Sequence, residues 1–219
     1  MRILQVPDIN CWAIANLVKS INRYLKDRFQ ITTIYVHPRE VIARQAAFKY
    51  ELQRGVDLIN FHYWNSAKQL IEICPEIKKY PTILSHWNHE SLTKKTWNEF
   101  TCLTHPTKWG TGKLKQDHDW VENIPMGIDL ERFAYIKEYP PKEIRIGYIG
   151  RIVPWKRLGW ICEACKELGY KVIGSGYIDK PNYWDEEVKR YETEGVLEYH
   201  GGKGRKEMAQ SQLKLQALL

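Results

Sequence analysis

No apolar run in this chain approaches the roughly 18 residues that a bilayer-spanning helix needs. Its start, MRILQVPDIN, lacks the charged stretch and long apolar core of a secretory signal, so a cytoplasmic location is expected. Cysteine is sparse: Cys11, Cys74, Cys102, Cys162 and Cys165 form an odd, scattered set that argues against a disulfide framework and for a reducing compartment. Cys162 and Cys165 share a face of an apparent amphipathic helix with Leu158, Ile161 and Leu168, which reads as packing before it reads as a redox pair. There is no G-x-G-x-x-G after a strand and no G-x-x-x-x-G-K-[ST], which counts against a nicotinamide dehydrogenase and a P-loop ATPase.

What is present suits a soluble globular protein: 219 residues, 43% hydrophobic and 27% charged, enough for one large domain or two small ones. The net charge of +7 invites anionic partners. Lysine and arginine are spread over the whole chain and no nucleic-acid fold motif accompanies them. Phosphorylated ligands, with contact to anionic lipid head groups as a further partner, are therefore expected in preference to nucleic acid.

Strand-like and helix-like segments alternate through the first two thirds, the pattern of a parallel sheet. Strands are expected over residues 2–6, 31–36, 57–61, 82–85, 100–104 and 121–124, with helices over 12–26, 39–54 and 67–73. A boundary is expected at Pro140-Pro141, giving domains 1–141 and 142–219. The second domain supplies about three strands, near Ile144, Lys171 and Val196, and residues 209–219 read as a helix.

The most informative stretch is residues 144–176. Ile144 to Ile149 suits a buried strand ending at Gly150, after which Arg151 and Lys156 fall in the following loop. In an open parallel sheet ligands bind outside the carboxyl ends of the strands, so both cations are presented to an anionic ligand. Pro154 predicts a helix start near Trp155, whose N-terminus would add positive potential to the same corner.

Gly150-Arg151-x4-Lys156, a helix, then Val172-Ile173-Gly174-Ser175-Gly176 resembles the donor-site opening of GT-B glycosyltransferases of family 4. Upstream, Ile124-Pro125-Met126-Gly127-Ile128-Asp129-x3-Phe133 is similar to that family's I-P-N-G-V-D-x3-F domain junction, with Met126 in place of Asn. The resemblance implies an α/β fold of two Rossmann-like domains of GT-B type, the second truncated to about three parallel strands. It covers the N-terminal, acceptor-side domain and the first half of the donor-side domain. The family's later E-x7-E donor motif, which supplies carboxylates to the sugar and ribose, has no counterpart after Val196, and the glycine pair is missing where Asp8-Ile9-Asn10-Cys11-Trp12 stands.

The implied activity is transfer of a sugar from a nucleotide-diphosphate donor to an acceptor of unspecified kind, with retention and with no obligatory metal. Gly150, Arg151 and Lys156 would bind the diphosphate, and Gly174, Ser175, Gly176, Gly201 and Lys203 the sugar and nucleotide. His86 and His62 are the candidate catalytic residues: in the resembling enzymes a histidine at the strand end of His86 lies against the transferred sugar, and His62 matches the histidine after the preceding strand; a structural hydrogen bond at the strand end is the alternative for each. Trp12, Trp64, Trp87 and Trp155 follow strand ends, where aromatic faces could stack on a sugar or base; for any single one, core packing is the plainer account. Zinc binding by His86, His89 and Glu90 matches no standard helical motif, and Asp117-His118-Asp119 precedes a strand where a metal-binding D-x-D would follow one. The missing carboxylates keep other readings open: a non-catalytic nucleotide- or carbohydrate-binding remnant, one half of a split glycosyltransferase, or a chain whose sheet is completed by self-association or a partner.

Overall fold

In the computed structural model, residues 1–10, 13–86, 97–127, 146–202 and 217–218 are described. The chain divides into two compact units, Met1–Gly127 and Ile128–Leu219. Pro140 and Pro141, the expected boundary, lie outside the described residues, as do Cys11, Trp12, Trp87, His89, Glu90, Asp129, Phe133 and Lys203.

The first unit is a six-stranded parallel sheet ordered β2-β1-β3-β4-β5-β6. Its strands are β1 (Arg2–Val6), β2 (Gln30–Thr33), β3 (Leu58–Phe61), β4 (Thr82–Ser85), β5 (Cys102–His105) and β6 (Val121–Asn123). Helices α1 (Ala13–Leu25), α2 (Val41–Gln53), α3 (Trp64–Ile73) and α4 (Lys108–Leu114) lie in the connections. The pairing is in register from Ile3 against Leu58 through Val6 against Phe61, so β1 sits centrally between β2 and β3. A central strand is covered on both faces, which is why Leu4, Gln5 and Val6 are all buried.

The core gathers Leu4, Val6, Phe48, Ile59, Phe61, Leu70, Leu84 and Leu103, with Trp97 fully buried among them. Phe61 stacks on Phe48 at 6.4 Å between ring centroids and meets Phe100 edge-on at 6.0 Å. At the amino end of the sheet, Arg2 is clamped to α2: its Nη2 lies 2.6 Å from Glu51 Oε2 and its Nη1 donates to Arg54 O at 2.6 Å. This places the strand carboxyl ends, with their loops, opposite a charged anchor.

The second unit has the three expected strands, β7 (Ile146–Ile149), β8 (Val172–Ser175) and β9 (Leu197–Tyr199), all parallel. A fourth, β10 (Ala217–Leu218), pairs with β7, giving the order β10-β7-β8-β9. These two residues therefore take a strand conformation where sequence periodicity led to a helix: pairing with a distant strand overrides a local pattern.

Between β7 and β8, a 3-10 turn (Pro154–Lys156) precedes α5 (Leu158–Glu167), joined through Arg157. Between β8 and β9, α6 (Pro181–Tyr183), a π turn (Trp184–Val188) and α7 (Lys189–Thr193) run together. Cys162 and Cys165 are both buried in this unit's core beside Leu158, Val172, Val188 and Leu197. Burial pushes the Cys162 thiol up to about 12. They pack, as their helical spacing indicated. No described helix of the chain is long and apolar enough to cross a membrane.

Candidate functional site

In the first unit, three adjacent strands deliver buried histidines at their carboxyl ends. His62 follows β3, His86 follows β4 and His105 ends β5, and all are nearly inaccessible. Backbone pairing fixes two of them, because His62 N donates to Val6 O at 3.0 Å and His86 N to Thr104 O at 2.8 Å. The rings of His86 and His105 stack with centroids 6.0 Å apart, and Trp97 meets His86 edge-on at 5.1 Å.

His105 escaped sequence reasoning. Its signal was the T-H-P-T turn after a strand, and its role is partly architectural: Thr107 N donates to its Nδ1 at 3.1 Å. A Cβ on Gly110 would fall 2.1 Å from its ring, so α4 can start this close only on glycine.

His62 belongs to a polar chain within the sheet. Ser85 Oγ donates to Asn60 Oδ1 at 3.3 Å, Asn60 Nδ2 donates to Gln5 Oε1 at 3.0 Å, and His62 Nε2 lies 2.6 Å from the same Gln5 oxygen. An amide oxygen can only accept, so His62 carries its proton on Nε2 and keeps a lone pair on Nδ1. Burial pushes the His62 pKa down to about 4, leaving a neutral imidazole at pH 7.

Trp64 opens α3 and packs on the core 5.6 Å from Trp97, the plainer of the two accounts of it. His118 is engaged structurally: its Nδ1 accepts from Trp120 N at 3.1 Å and its Nε2 donates to Phe100 O at 2.9 Å. Among the described residues no cluster of three or more His, Cys, Asp or Glu side chains could hold a metal.

In the second unit, the loops after β7, β8 and β9 meet and bond to one another. Gly150 N donates to Ser175 O at 3.0 Å and Ile152 N to Tyr177 O at 2.8 Å. Gly176 N and Ser175 Oγ both donate to Gly201 O at 2.9 Å. Tyr199 donates its hydroxyl to Gly176 O, and Tyr148 donates its own to Arg151 O at 2.7 Å. A Cβ on Gly176 would lie 1.6 Å from Gly150 O, so the two loops can touch only because glycine stands there.

The structure thus brings Gly150, Gly174, Ser175, Gly176 and Gly201 together, though several of their polar groups hold the loops to each other. Gly174 packs against the Leu197 side chain, where a Cβ would be 3.0 Å from Cδ1.

The cations stand on this scaffold. Arg151, in the first loop, pairs with Asp179 of the second, Nη1 to Oδ2 at 2.9 Å, a partner sequence reasoning missed because it arises from the parallel bridge Ile152 to Ile178. Lys156, Arg157 and Lys180 are exposed nearby in the chain. Arg157 adopts φ 57, a left-handed conformation costly for a residue with a Cβ, and its guanidinium lies 4.5 Å over the exposed Trp160 ring.

That left-handed residue delays α5 to Leu158, later than its expected start near Trp155. At the start of α5, Gly159 N–H donates to Tyr183 Oη at 3.1 Å, so this group is turned into the protein and away from any ligand. Positive potential in these loops comes from side chains, with less from the helix end than the sequence suggested.

No family model matches the chain, and no curated protein matches it. Solved structures do. The glycosyltransferase AviGT4, involved in avilamycin A biosynthesis, superposes with a TM-score of 0.69 at 15% identity, covering 100% of this chain and 69% of that one. HepE of Anabaena, in complex with UDP, gives 0.72 at 13% identity, covering 100% and 73%. The UDP-GlcNAc 2-epimerase from Neisseria meningitidis, bound to UDP-GlcNAc, gives 0.62 at 10% identity, covering 100% and 76%. At these identities the likeness establishes the fold: α/β, with two Rossmann-like domains of GT-B type, an architecture shared with AviGT4, HepE and the epimerase.

Proposed function

We propose that the chain is a glycosyltransferase-like protein, resembling family 4, that binds a nucleotide-diphosphate sugar at the loops after β7, β8 and β9. It transfers the sugar with retention to an acceptor, in the cytoplasm and without an obligatory metal. The observation that carries this reading is the three-loop junction in which glycines at 150 and 176 meet while Arg151 and Lys156 stand exposed on the first loop. The fold-level neighbours bound to UDP or UDP-GlcNAc support a uridine nucleotide as the first donor to try.

In this reading Arg151 offers a planar fork to phosphate oxygens and Lys156 a point charge. Both act most strongly as negative charge builds on the departing nucleoside diphosphate, the kind of stabilisation that dominates such catalysis. Gly150 lets the first loop lie close to the phosphates, and Gly201 with Lys203 borders the nucleotide. His86 and His62, at the strand ends of the first unit, are the candidates for contacts to sugar hydroxyls; a neutral His62 suits a hydroxyl better than a phosphate.

A second reading is a nucleotide-sugar-binding protein without transfer. It is favoured by the likeness of the fold to a UDP-GlcNAc 2-epimerase as well as to a glycosyltransferase, since a nucleotide-sugar site on this fold need not transfer the sugar. Incubation with UDP-sugars and candidate acceptors separates the two, since sustained release of UDP occurs only if the sugar is transferred or hydrolysed. Binding of UDP that depends on Lys156 tests the donor site common to both.

A further inference from the structure

Among the described residues Arg157 alone takes a positive φ without being glycine. The conformation is costly for a residue with a Cβ, and glycine would adopt it freely. Backbone strain of this kind persists where the side chain has a task. Arg157 links the 3-10 turn to α5, and it holds its guanidinium 4.5 Å over the Trp160 ring.

The pair stands on open surface. Trp160 is 65% exposed, and Trp155, at the centre of the 3-10 turn, is 61% exposed. From Pro154 to Trp160 the chain carries Lys156 and Arg157 and no carboxylate. The bridge from Ile152 to Ile178 joins this loop to the next, where Lys180 is exposed and Asp179 is paired with Arg151. Carboxylates lie elsewhere. Glu163 and Glu167 belong to the second half of α5, and Glu163 accepts from Tyr191. The π turn meets α5 at Gly159, through Glu187, about 100° around the helix from Trp160.

Aromatic rings and charge together select the partner. Indole suits a lipid–water interface, where its apolar body is buried and its N–H stays wet. Arginine and lysine beside it meet the negative potential of anionic head groups. A second copy of this chain would bring the same cations to a patch that has no carboxylate to receive them, and the net charge of +7 adds to that repulsion.

We propose that Trp155, Arg157 and Trp160 form a docking surface for an anionic lipid membrane. Lys156, assigned above to the diphosphate, is not needed for it. Binding to lipid is independent of the nucleotide-sugar reading. What rests on that reading is the consequence: the loops after β7 and β8 work at a membrane surface, and the sugar passes to a lipid-borne acceptor.

The test uses the full chain without nucleotide and vesicles of phosphatidylcholine, alone or with about one third phosphatidylglycerol. Flotation with the vesicles measures affinity, and brominated acyl chains report tryptophan insertion by quenching. The expected result is saturable binding to the anionic vesicles that weakens with salt, and little binding to phosphatidylcholine alone. Trp160→Ser should bind roughly tenfold more weakly with less quenching, and Arg157→Gly roughly fivefold more weakly. Trp120→Ser is the comparison and should bind like wild type, because Trp120 is 54% exposed but donates to Glu122 at 3.2 Å. Arg157→Gly should melt at the same or a higher temperature than wild type, since glycine takes the left-handed conformation without strain.

Absence of binding to anionic vesicles, or equal binding by wild type and both loop variants, overturns the proposal. An equal loss in Trp120→Ser does the same, as it marks general adsorption, and so does a fall in melting temperature in both loop variants, which marks a structural contact. Self-association that Trp160→Ser abolishes, without lipid binding, would assign the surface to a second copy instead. Vesicle failure with Lys156-dependent UDP binding intact removes this surface alone; vesicle binding without UDP binding removes the nucleotide-sugar reading and leaves the surface.

Discussion

Arg151 Nη1 lies 2.9 Å from Asp179 Oδ2, and the two side chains are 48% and 36% exposed. A pair this open to water contributes little to stability. Its consequence is for ligands, because a carboxylate shares the guanidinium that a diphosphate needs. Asp179→Asn should therefore tighten UDP binding roughly threefold to tenfold at low salt and less at high salt. Calorimetry at two ionic strengths measures this, and unchanged or weaker binding would mean that Asp179 positions Arg151.

The contact between Gly176 and Gly150 governs the second unit. A methyl group at 176 would meet Gly150 O at 1.6 Å, so Gly176→Ala must push two loops apart. We expect a loss of about 2–3 kcal/mol in denaturant unfolding together with loss of UDP binding. Gly112→Ala is the control, since nothing lies within 4 Å of a Cβ there and α4 gains helix propensity. Equal behaviour of the two variants would refute the close approach.

His62 sets a pH dependence whose sign follows from its depressed pKa. Burial lowers it from 6.5 to about 4, so the unfolded chain takes up the proton first as pH falls. The contribution of His62 to stability is complete above about pH 6.5 and lost progressively down to about pH 4, amounting to roughly 3 kcal/mol. His62→Gln should flatten the difference between denaturation at neutral pH and near pH 4.5; the same acid sensitivity in both proteins would show that His62 is not the titrating group.

Cys162 and Cys165 should behave as core side chains. With the Cys162 thiol pushed up to about 12 and both residues buried, little thiolate exists at pH 8. Neither should react with a thiol reagent until the second unit unfolds, and rapid labelling of the native protein would overturn this.

Much of the architecture was legible. Short apolar runs between helical segments marked all six strands of the first sheet, because a parallel strand buried on both faces has little else in it. Arg2–Val6 and Thr82–Ser85 were bounded as observed. The helices were read less well. Of the expected apolar side of α1, Ile14, Leu17, Val18, Ile21 and Leu25, Val18 enters the core together with Ala15, and the other four are half-buried.

What the sequence concealed were effects of distant partners. Arg157 in a left-handed conformation moved the start of α5, Ala217 and Leu218 became a strand by pairing with β7, and Trp97 filled the core from a segment without periodicity. At the candidate sites, Gly150, Arg151, Ser175 and Gly176 were read as neighbours and are neighbours. Asp179 and His105 were missed because only the folded sheet brings them to Arg151 and His86.

The central claim is that Lys156 and the loops around it bind the diphosphate of a nucleotide sugar. Titrating UDP into wild type and Lys156→Ala by calorimetry tests it most directly. Lys156 is exposed and forms no ion pair among the described residues, so its loss should leave the fold unchanged. The account expects UDP to bind wild type and to bind the variant about tenfold or more weakly. Equal dissociation constants for the two proteins, or no binding to either, would contradict it.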